Sequence, residues 1–172
     1  MKIGVISDTH DRLPPFRRAV AMFQRMGVDA IFHAGDFIAP FAAKIIAPDA
    51  PGMDRLPLHC VYGNNDGVRP GLTKVLPHVA DGPLTVTLGA PGKTRTVVMH
   101  HFIDWLKPAD IAPADVIITG HTHEVVNDTR TLGSATKLFL NPGECCGWLT
   151  DRCTVAVLDL DTLKADIVDV QA

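Results

Sequence analysis

The sequence has no apolar run long enough to cross a membrane and no cluster of lysine or arginine. A bilayer span needs about 20 consecutive apolar residues, and no stretch of the 172 residues approaches that length. The formal net charge is −3, so strong electrostatic binding to nucleic acid or to an anionic membrane is not expected. The N-terminus turns polar at Ser7, too early for a signal peptide. We therefore expect a cytoplasmic protein with no membrane partner, and a nucleic-acid partner is not favoured.

Paired cysteines and glutamate are also scarce. The four cysteines include no C-x-x-C pair, so a structural zinc knuckle is not expected and we interpret all four as reduced thiols. Only Glu124 and Glu144 are glutamate, and the other 17 acidic residues are aspartate. Aspartate forms helices poorly but suits caps, turns and metal sites. With eight histidines, the chain is rich in side chains that can bind metals. Whether they form a metal site depends on their positions in the sequence.

Apolar runs alternate with amphipathic stretches in the first half of the chain. Residues 2–7, 28–33 and 58–62 are typical of buried strands, and helices are predicted over 14–26 and 37–46. This alternation indicates a parallel sheet with helical crossovers. In the second half a short helix is predicted at 103–107 and seven short strands at 84–88, 94–100, 116–119, 124–128, 137–140, 153–158 and 165–170. The length fits one domain over residues 1–172.

Polar side chains follow five of the predicted strands at the point where each strand ends. They lie at 7–11, 35–36, 63–66, 100–101 and 120–123. Taken singly, each has a plainer explanation: Asp8 as a turn residue, Asp36 as a helix cap, 63–66 as a tight turn, His100 as a structural histidine. Because ligands bind at the carboxyl ends of parallel strands, their joint occurrence indicates a site.

These motifs resemble those of the calcineurin-like metallophosphoesterase superfamily. The matching elements, in the family's order, are Asp8-Thr9-His10, Gly35-Asp36, Gly63-Asn64-Asn65-Asp66, His100 and Gly120-His121-Thr122-His123. The short length and the residues around Asp8 and Asp36 are most similar to small single-domain prokaryotic phosphodiesterases. The resemblance implies an α/β fold: a four-layer αββα sandwich in which two mixed sheets pack face to face with helices outside.

The resemblance also implies a centre of two divalent metal ions. Asp36 would bridge them, and the full ligand set would be Asp8, His10, Asp36 and His123 for the first ion and Asp36, Asn64, His100 and His121 for the second. Carboxylate, imidazole and amide donors suit Mn²⁺, which we favour, and also Fe, Zn²⁺, Ni²⁺ or Mg²⁺. Such a pair of ions activates a bridging water for attack on a phosphate ester. The implied activity is hydrolysis of a small organic phosphate, foremost a phosphodiester, and relatives suggest a homodimer or homotetramer.

The sequence departs from the family pattern near the expected reaction centre. Asn65 stands where a histidine assists the leaving group in much of the superfamily, and asparagine cannot supply a proton at pH 7. We assign catalytic candidates to Asn64, Asn65, Asp66 and His101. His101 replaces a common glycine, and it either donates a proton or points away along the strand. Phe102 either forms an apolar wall for the substrate or packs in the core.

Other residues near these motifs have either a functional or a structural interpretation. Arg12 either contacts a substrate phosphate, which guanidinium matches in shape, or is a solvated residue at the start of a helix. His33 either hydrogen-bonds to a ligand or phosphate or is a satisfied buried histidine. Glu144 follows the Asn141-Pro142-Gly143 turn, where the family often has serine, and we interpret this turn as structural.

Two other functions remain as alternatives. A non-catalytic scaffold of the retromer-subunit type, which is similar in fold, would be expected to have eroded metal ligands, whereas all seven ligand positions here are chemically competent. A nuclease of this superfamily would be expected to carry a further domain or a basic surface, and the 172-residue chain with net charge −3 shows neither.

The absence of a histidine at Asn65 leads to a prediction about leaving groups. Without a proton donor at this position, esters of aryl alcohols, phosphates or nucleotides should be cleaved much faster than esters of simple alkoxides, because only good leaving groups depart unprotonated. The test compares hydrolysis rates of aryl and alkyl phosphodiesters by the purified protein. Similar rates for the two classes would refute it.

Overall fold

Two five-stranded sheets form the framework of the protein, as a computed structural model describes it for residues 1–170. The strands are β1 (Lys2–Ile6), β2 (Ala30–His33), β3 (Leu58–Cys60), β4 (Leu84–Ala90), β5 (Lys93–Met99), β6 (Val116–Ile118), β7 (Val125–Leu132), β8 (Ala135–Pro142), β9 (Thr154–Asp159) and β10 (Lys164–Asp169). The helices are α1 (Leu13–Met26), α2 (Pro40–Ala43), α3 (Arg69–Val75) and α4 (Pro108–Ile111), with a 3₁₀ turn at Ile103–Trp105.

Each sheet combines a parallel centre with antiparallel edges. The first sheet has the order β10-β9-β1-β2-β3, in which β1, β2 and β3 are parallel. The second has the order β4-β5-β6-β8-β7, in which β5, β6 and β8 are parallel. The expected fold class, two mixed sheets in an α/β sandwich, is confirmed. The carboxyl ends of six parallel strands are therefore available to build a site.

Alternating side chains on the strands divide the core into three parts. One face of each sheet contributes to a shared apolar cluster that includes Val5, Phe32, Met99 and Ile118. The opposite face of the first sheet packs on α1 through residues such as Ile31. The opposite face of the second sheet is covered by a smaller cluster that contains Val98, Ile117, Phe139, Leu106 and Ala114. Burial of this apolar surface is the main stabilising term for the layered arrangement.

Helix α1 follows directly from its sequence pattern. Its apolar residues Phe16, Ala19, Val20 and Phe23 recur at helical spacing, and all are buried. The helix ends at Gly27, whose φ of 63° is left-handed and whose N–H bonds back to Gln24 and Phe23 carbonyl oxygens. The helix predicted over residues 14–26 is therefore found with almost the same bounds.

The predicted helix over 37–46 is wrong in extent. Only Pro40–Ala43 is helical, because Ile38 has a left-handed φ of 82° and Pro40 cannot continue a helix that begins before it. Helices α3 and α4 were not predicted, and the first of them carries Pro70 and Gly71 within its first turn, where the sequence resembles a turn.

No helix within residues 1–170 combines the length and the apolar character that crossing a bilayer requires. All four cysteines lie in this range as buried free thiols.

The close approach of α1 to the first sheet depends on Gly4. A Cβ atom at this position would lie 2.8 Å from ring atoms of Phe23, well inside van der Waals contact. We expect Gly4→Ala to destabilise the protein by about 1–3 kcal/mol, measured by urea unfolding. Gly67→Ala is the matched control because nothing lies within 4 Å of its Cβ position, and its effect should stay within about 0.5 kcal/mol. Equal effects of the two substitutions would contradict this account of the packing.

Candidate metal centre

Loops from both sheets bring polar side chains to one edge of the sandwich. The residues that converge there follow the carboxyl ends of parallel strands: Asp8 and His10 after β1, Asp36 after β2, Asn64 after β3, His101 after β5, and His121 and His123 after β6. Backbone hydrogen bonds fasten these loops to one another, for example from the Asp8 N–H to the Gly35 carbonyl oxygen at 3.1 Å and from the Gly120 N–H to the His101 carbonyl oxygen at 3.1 Å.

The first group of side chains surrounds the carboxylate of Asp8. Its Oδ1 lies 3.7 Å from His10 Nε2 and 3.4 Å from His123 Nε2. Asp8 Oδ1 and His10 Nε2 are both buried and have no hydrogen-bond partner among residues 1–170. Buried polar atoms without partners are rare and need an explanation. Spacings of this size match ligands of one ion held at about 2.0–2.2 Å.

The second group surrounds the amide oxygen of Asn64. Its Oδ1 lies 3.0 Å from His101 Nε2 and 2.9 Å from His121 Nδ1. The other ring nitrogen of His101, Nδ1, lies 2.7 Å from the Ala34 carbonyl oxygen. A carbonyl oxygen only accepts, so Nδ1 carries the proton, and in the neutral ring the lone pair of Nε2 points toward the oxygen of Asn64.

Asp36 links the two groups. Its Oδ2 lies 3.4 Å from His10 Nε2 in the first group and 3.4 Å from His101 Nε2 in the second. The carboxylate is 1% exposed, and Asn65 donates to both of its oxygens at 2.8 Å, from the backbone N–H to Oδ1 and from the side-chain amide to Oδ2. The side chain of Asp36 thus lies within 3.4 Å of a histidine of each group.

The structure corrects the expected position of His100. Its Nδ1 accepts a hydrogen bond from the Phe102 N–H at 2.9 Å, and its ring lies beside Gly82 and 5.6 Å from that of Trp105. His101 takes the position that the sequence prediction gave to His100, so it does not point away along the strand. The reason is strand alternation: His101 shares a face with Met99, which points between the sheets, whereas His100 shares the opposite face with Val98.

The backbone at the centre adopts conformations that side chains usually avoid. Left-handed φ values occur at five of the converging residues: Asp8 (52°), His10 (40°), Asp36 (60°), His121 (70°) and His123 (62°). Such conformations cost on the order of 1–3 kcal/mol each and cluster at functional sites. The loops are also packed closely, because a Cβ atom on Gly63 would lie 2.1 Å from Asp36 Oδ1. Several parts of the fold therefore hold the converging side chains in place.

The carboxylate of Asp66 contacts the backbone rather than the converging side chains. Its buried carboxylate accepts three backbone N–H groups, from Gly63 at 2.7 Å, Ile38 at 2.8 Å and Asp36 at 3.0 Å. Burial raises the pKa of Asp66, although these hydrogen bonds oppose the shift. The carboxylate fastens the loop after β3 to the loop after β2, so it orients Asp36 and Asn65 relative to each other.

Two expected substrate contacts lie away from the centre. His33 has no exposed surface; it contacts Thr9 Oγ1 at 3.3 Å, accepts the Gly35 N–H and stacks on Phe37 at 3.6 Å. Burial lowers its pKa well below the usual value. A buried ring of this kind cannot touch a substrate, so it stabilises the loop from within.

The guanidinium of Arg12 is likewise directed elsewhere. It donates to the Cys146 carbonyl oxygen and lies 4.7 Å from the ring centroid of Trp148. Arg12 therefore secures the loop over residues 144–153, and the structure does not bring it to the converging side chains. Phe102, the third expected contact, does lie at the centre, with its ring 4.3 Å from that of His121.

Glu144 is a site residue whose role the sequence analysis missed. The side chain is fully buried, and its Oε2 lies 2.7 Å from Nδ1 of His123. The carboxylate accepts the proton of Nδ1, so in the neutral ring the lone pair of Nε2 points toward Asp8. Glu144 follows parallel strand β8, just as the other site residues follow their strands. The position of Glu144 after a predicted strand was the signal available in the sequence. The role was missed because the turn before Glu144 was interpreted as structural.

The same carboxylate organises the loop that follows it. Glu144 accepts backbone N–H groups from Trp148, Leu149 and Thr150, and the thiol of Cys146 at 3.0 Å. Cys146 lies with His10 and His123 in a group whose ligand atoms are all within 4.8 Å, although it is not in the ligand set that the sequence implies. Burial raises the pKa of this thiol, and the adjacent Glu144 adds to the shift, so the sulfur remains protonated.

Charges at the centre favour ionised carboxylates beside protonated imidazoles when no metal is bound. Burial opposes ionisation of Asp36, but hydrogen bonds from His101 and Asn65 hold its pKa well below the usual range. Burial also opposes the charged form of His10 and His101, yet Asp8 and Asp36 outweigh it and raise both pKa values. A site that attracts protons in this way is equally suited to divalent cations.

Glu144 leads to a prediction about acid stability. Burial opposes its ionisation, but the hydrogen bonds from Cys146, Thr150 and His123 lower its pKa from 4.5 to about 2. Because the folded-state pKa is the lower one, the stabilisation is complete above about pH 4.5 and declines as the pH falls toward 2; its full size is on the order of 3 kcal/mol. The test is urea unfolding of the metal-free protein. Between pH 5 and 3, the free energy of unfolding of the Glu144→Gln variant should fall less steeply than that of the unmodified chain.

The control for this experiment is the other glutamate. Glu124 is exposed, so Glu124→Gln should leave the pH dependence of the unmodified protein unchanged. Identical slopes for Glu144→Gln and the unmodified chain would show that the carboxylate of Glu144 does not carry the acid sensitivity.

Comparison with known proteins identifies the family of this chain. The sequence model of the calcineurin-like phosphoesterase superfamily domain matches residues 1–163. Phosphodiesterase MJ0936 of Methanocaldococcus jannaschii is 35% identical over 170 residues, which covers 94% of each protein. A solved archaeal phosphodiesterase structure matches with a TM-score of 0.76 at 31% identity, over 98% of this chain and 99% of the other. The phosphoesterase Yfce of E. coli shares the fold, with a TM-score of 0.69 at 19% identity over 99% of this chain and 100% of the other. The chain belongs to the calcineurin-like phosphoesterase superfamily and is a metal-dependent hydrolase of phosphate esters.

Proposed function

We propose that this hydrolase is a phosphodiesterase with two metal positions that share Asp36. The first position would be held by Asp8, His10, Asp36 and His123, and the second by Asp36, Asn64, His101 and His121. One observation carries the proposal: nitrogen and oxygen atoms that can coordinate a metal point at one another. Nε2 of His101 lies near the oxygens of Asn64 and Asp36, and Nε2 of His123 lies near that of Asp8. Lone pairs that converge in this way repel one another unless a positive charge lies between them, either a proton on the ring or a metal ion.

The donor set fits divalent metals. Each position combines imidazole nitrogen with carboxylate or amide oxygen, which are borderline to hard donors suited to Mn²⁺, Fe²⁺, Zn²⁺ or Ni²⁺. Asp8 Oδ1 and His10 Nε2, which have no partner within residues 1–170, would gain one. We favour Mn²⁺ as the native ion.

The bound ions would supply Lewis acidity, an activated water and charge neutralisation for displacement at phosphorus. The protein's own groups prepare for this chemistry. Glu144 holds the proton of His123 on Nδ1 and leaves Nε2 free, and the Ala34 carbonyl oxygen does the same for His101. Asn65 keeps Asp36 in place by donating to both oxygens, so its amide is occupied by the carboxylate and is not a proton source.

The substrate class follows from the relatives and from the lack of a proton donor at Asn65. Phosphodiesterase MJ0936 is similar along almost the whole chain, which supports a phosphodiester as substrate. The side chain of Phe102, next to His121, would line the position of an ester group. The four free thiols support the proposed cytoplasmic location, because thiols stay reduced there.

Metal analysis followed by a substrate panel tests the function directly. Purified protein should contain or take up close to two equivalents of divalent metal, and with Mn²⁺ it should hydrolyse phosphodiesters faster than phosphomonoesters. Chelation should remove the activity and added Mn²⁺ should restore it. Absence of diester hydrolysis with every metal supplied would refute the proposed function.

The shared carboxylate provides the sharpest single substitution. Asp36→Asn removes the charge that would offset the repulsion between two cations, so metal content should fall to one equivalent or less and activity by at least about 100-fold. Metal content by elemental analysis and diester hydrolysis are measured on the same sample. Asp54→Asn, on an exposed loop, is the control and should retain both. Full activity in Asp36→Asn would show that the two positions do not share this residue.

A further inference from the structure

Two aromatic rings extend outward from the second metal position. The ring of Phe102 lies 4.3 Å from that of His121 and 5.0 Å from that of His101. Trp105 stacks on Phe102 with a centroid distance of 4.6 Å and an interplanar angle of 21°. Trp105 is 65% exposed, which is unusual for so large an aromatic side chain. A continuous aromatic surface therefore begins at the candidate ligands and ends in solvent.

The chain builds this surface at the end of β5. His101 turns inward to the centre, and the 3₁₀ turn Ile103–Trp105 brings the chain back so that Trp105 covers Phe102. His100, which does not join the centre, supports the arrangement: it accepts the Phe102 N–H at 2.9 Å, and its ring lies 5.6 Å from that of Trp105. His100 thus contacts both aromatic residues from the protein side, while most of the Trp105 side chain remains accessible to solvent.

An exposed, preoriented aromatic face has a specific binding chemistry. It attracts other planar aromatic groups through stacking, and such contacts tolerate variation in the partner because every aromatic ring presents a π face. A phosphate held at the metal positions would place its ester group beside Phe102. Aliphatic ester groups could not stack on these rings. The surface would therefore select for an aromatic ester group, while the phosphate itself would be bound at the metal positions whatever its ester group.

We propose that Phe102 and Trp105 form a subsite for a planar aromatic group esterified to the phosphate, with Trp105 as the specificity-determining residue. The inference rests on the proposed phosphodiesterase site and adds its substrate class. The aromatic group is either an aryl ring attached to the phosphate or the base of a nucleotide, and the choice of probes distinguishes these two sources.

Two pairs of probes isolate the aromatic contribution to binding. Phenylphosphonate and methylphosphonate differ by the aryl ring, and AMP and ribose 5-phosphate differ by the base. Binding of each probe to the Mn²⁺-loaded protein is measured by isothermal titration calorimetry, which requires no turnover. The unmodified protein should bind the aromatic member of at least one pair more tightly, and the pair with the larger ratio identifies the source of the ring.

Substitutions at Trp105 then assign the effect. Trp105→Ala should weaken binding of the aromatic probe by about 5- to 100-fold and change that of its non-aromatic partner less than about 2-fold. Trp105→Phe, which retains a ring, should keep most of the preference. Phe41→Ala removes another exposed aromatic side chain, on α2, and should leave the ratio within each pair unchanged.

The possible failures are distinct. Equal weakening of aromatic and non-aromatic probes by Trp105→Ala, or no aromatic preference in the unmodified protein, would overturn the subsite while leaving the phosphodiesterase proposal intact. Failure of all four probes to bind the loaded protein would instead contradict the proposed phosphate site, and the subsite with it.

Discussion

The site depends on one buried carboxylate held between two imidazoles. Asp36 contacts His10 on one side and His101 on the other, and it is almost inaccessible to solvent. A charge in that position is costly unless every neighbour is arranged to stabilise it. Asn65 donates to both oxygens, and Asp66 holds the backbone N–H of Asp36 itself. Close packing of the loops and their left-handed backbone follow from this requirement.

Both sheets are needed to surround the buried carboxylate of Asp36 in this way. The first sheet supplies the carboxylates and Asn64, and the second supplies three of the four histidines. The apolar cluster between the sheets, which includes Val5 and Met99, therefore sets the distance between the two sets of ligands. Because protein interiors are densely packed, a shift of either sheet would move ligands relative to one another. Strain in the loops is balanced by burial in the core, which is how proteins retain unfavourable backbone at functional sites.

The candidate metal centre has a polar side and an aromatic side. On one side Glu144 orients His123 and at the same time organises the loop through Trp148, so the histidine and the loop are ordered by one carboxylate. On the other side Phe102 and Trp105 offer an apolar surface next to His121. The polar side fixes the ligands, and the aromatic side leaves room for the organic part of an ester.

Motifs at strand ends were sufficient to predict the family, the two mixed sheets and six of the seven converging side chains, because strand periodicity and ligand chemistry are local properties of a sequence. Tertiary structure decided the rest. The choice between His100 and His101 depends on which face of β5 meets the other sheet, and the roles of Asp66 and Glu144 depend on N–H groups and rings far away in the chain. Residue type defines what a side chain can bind, but only packing of distant segments determines what lies within its reach.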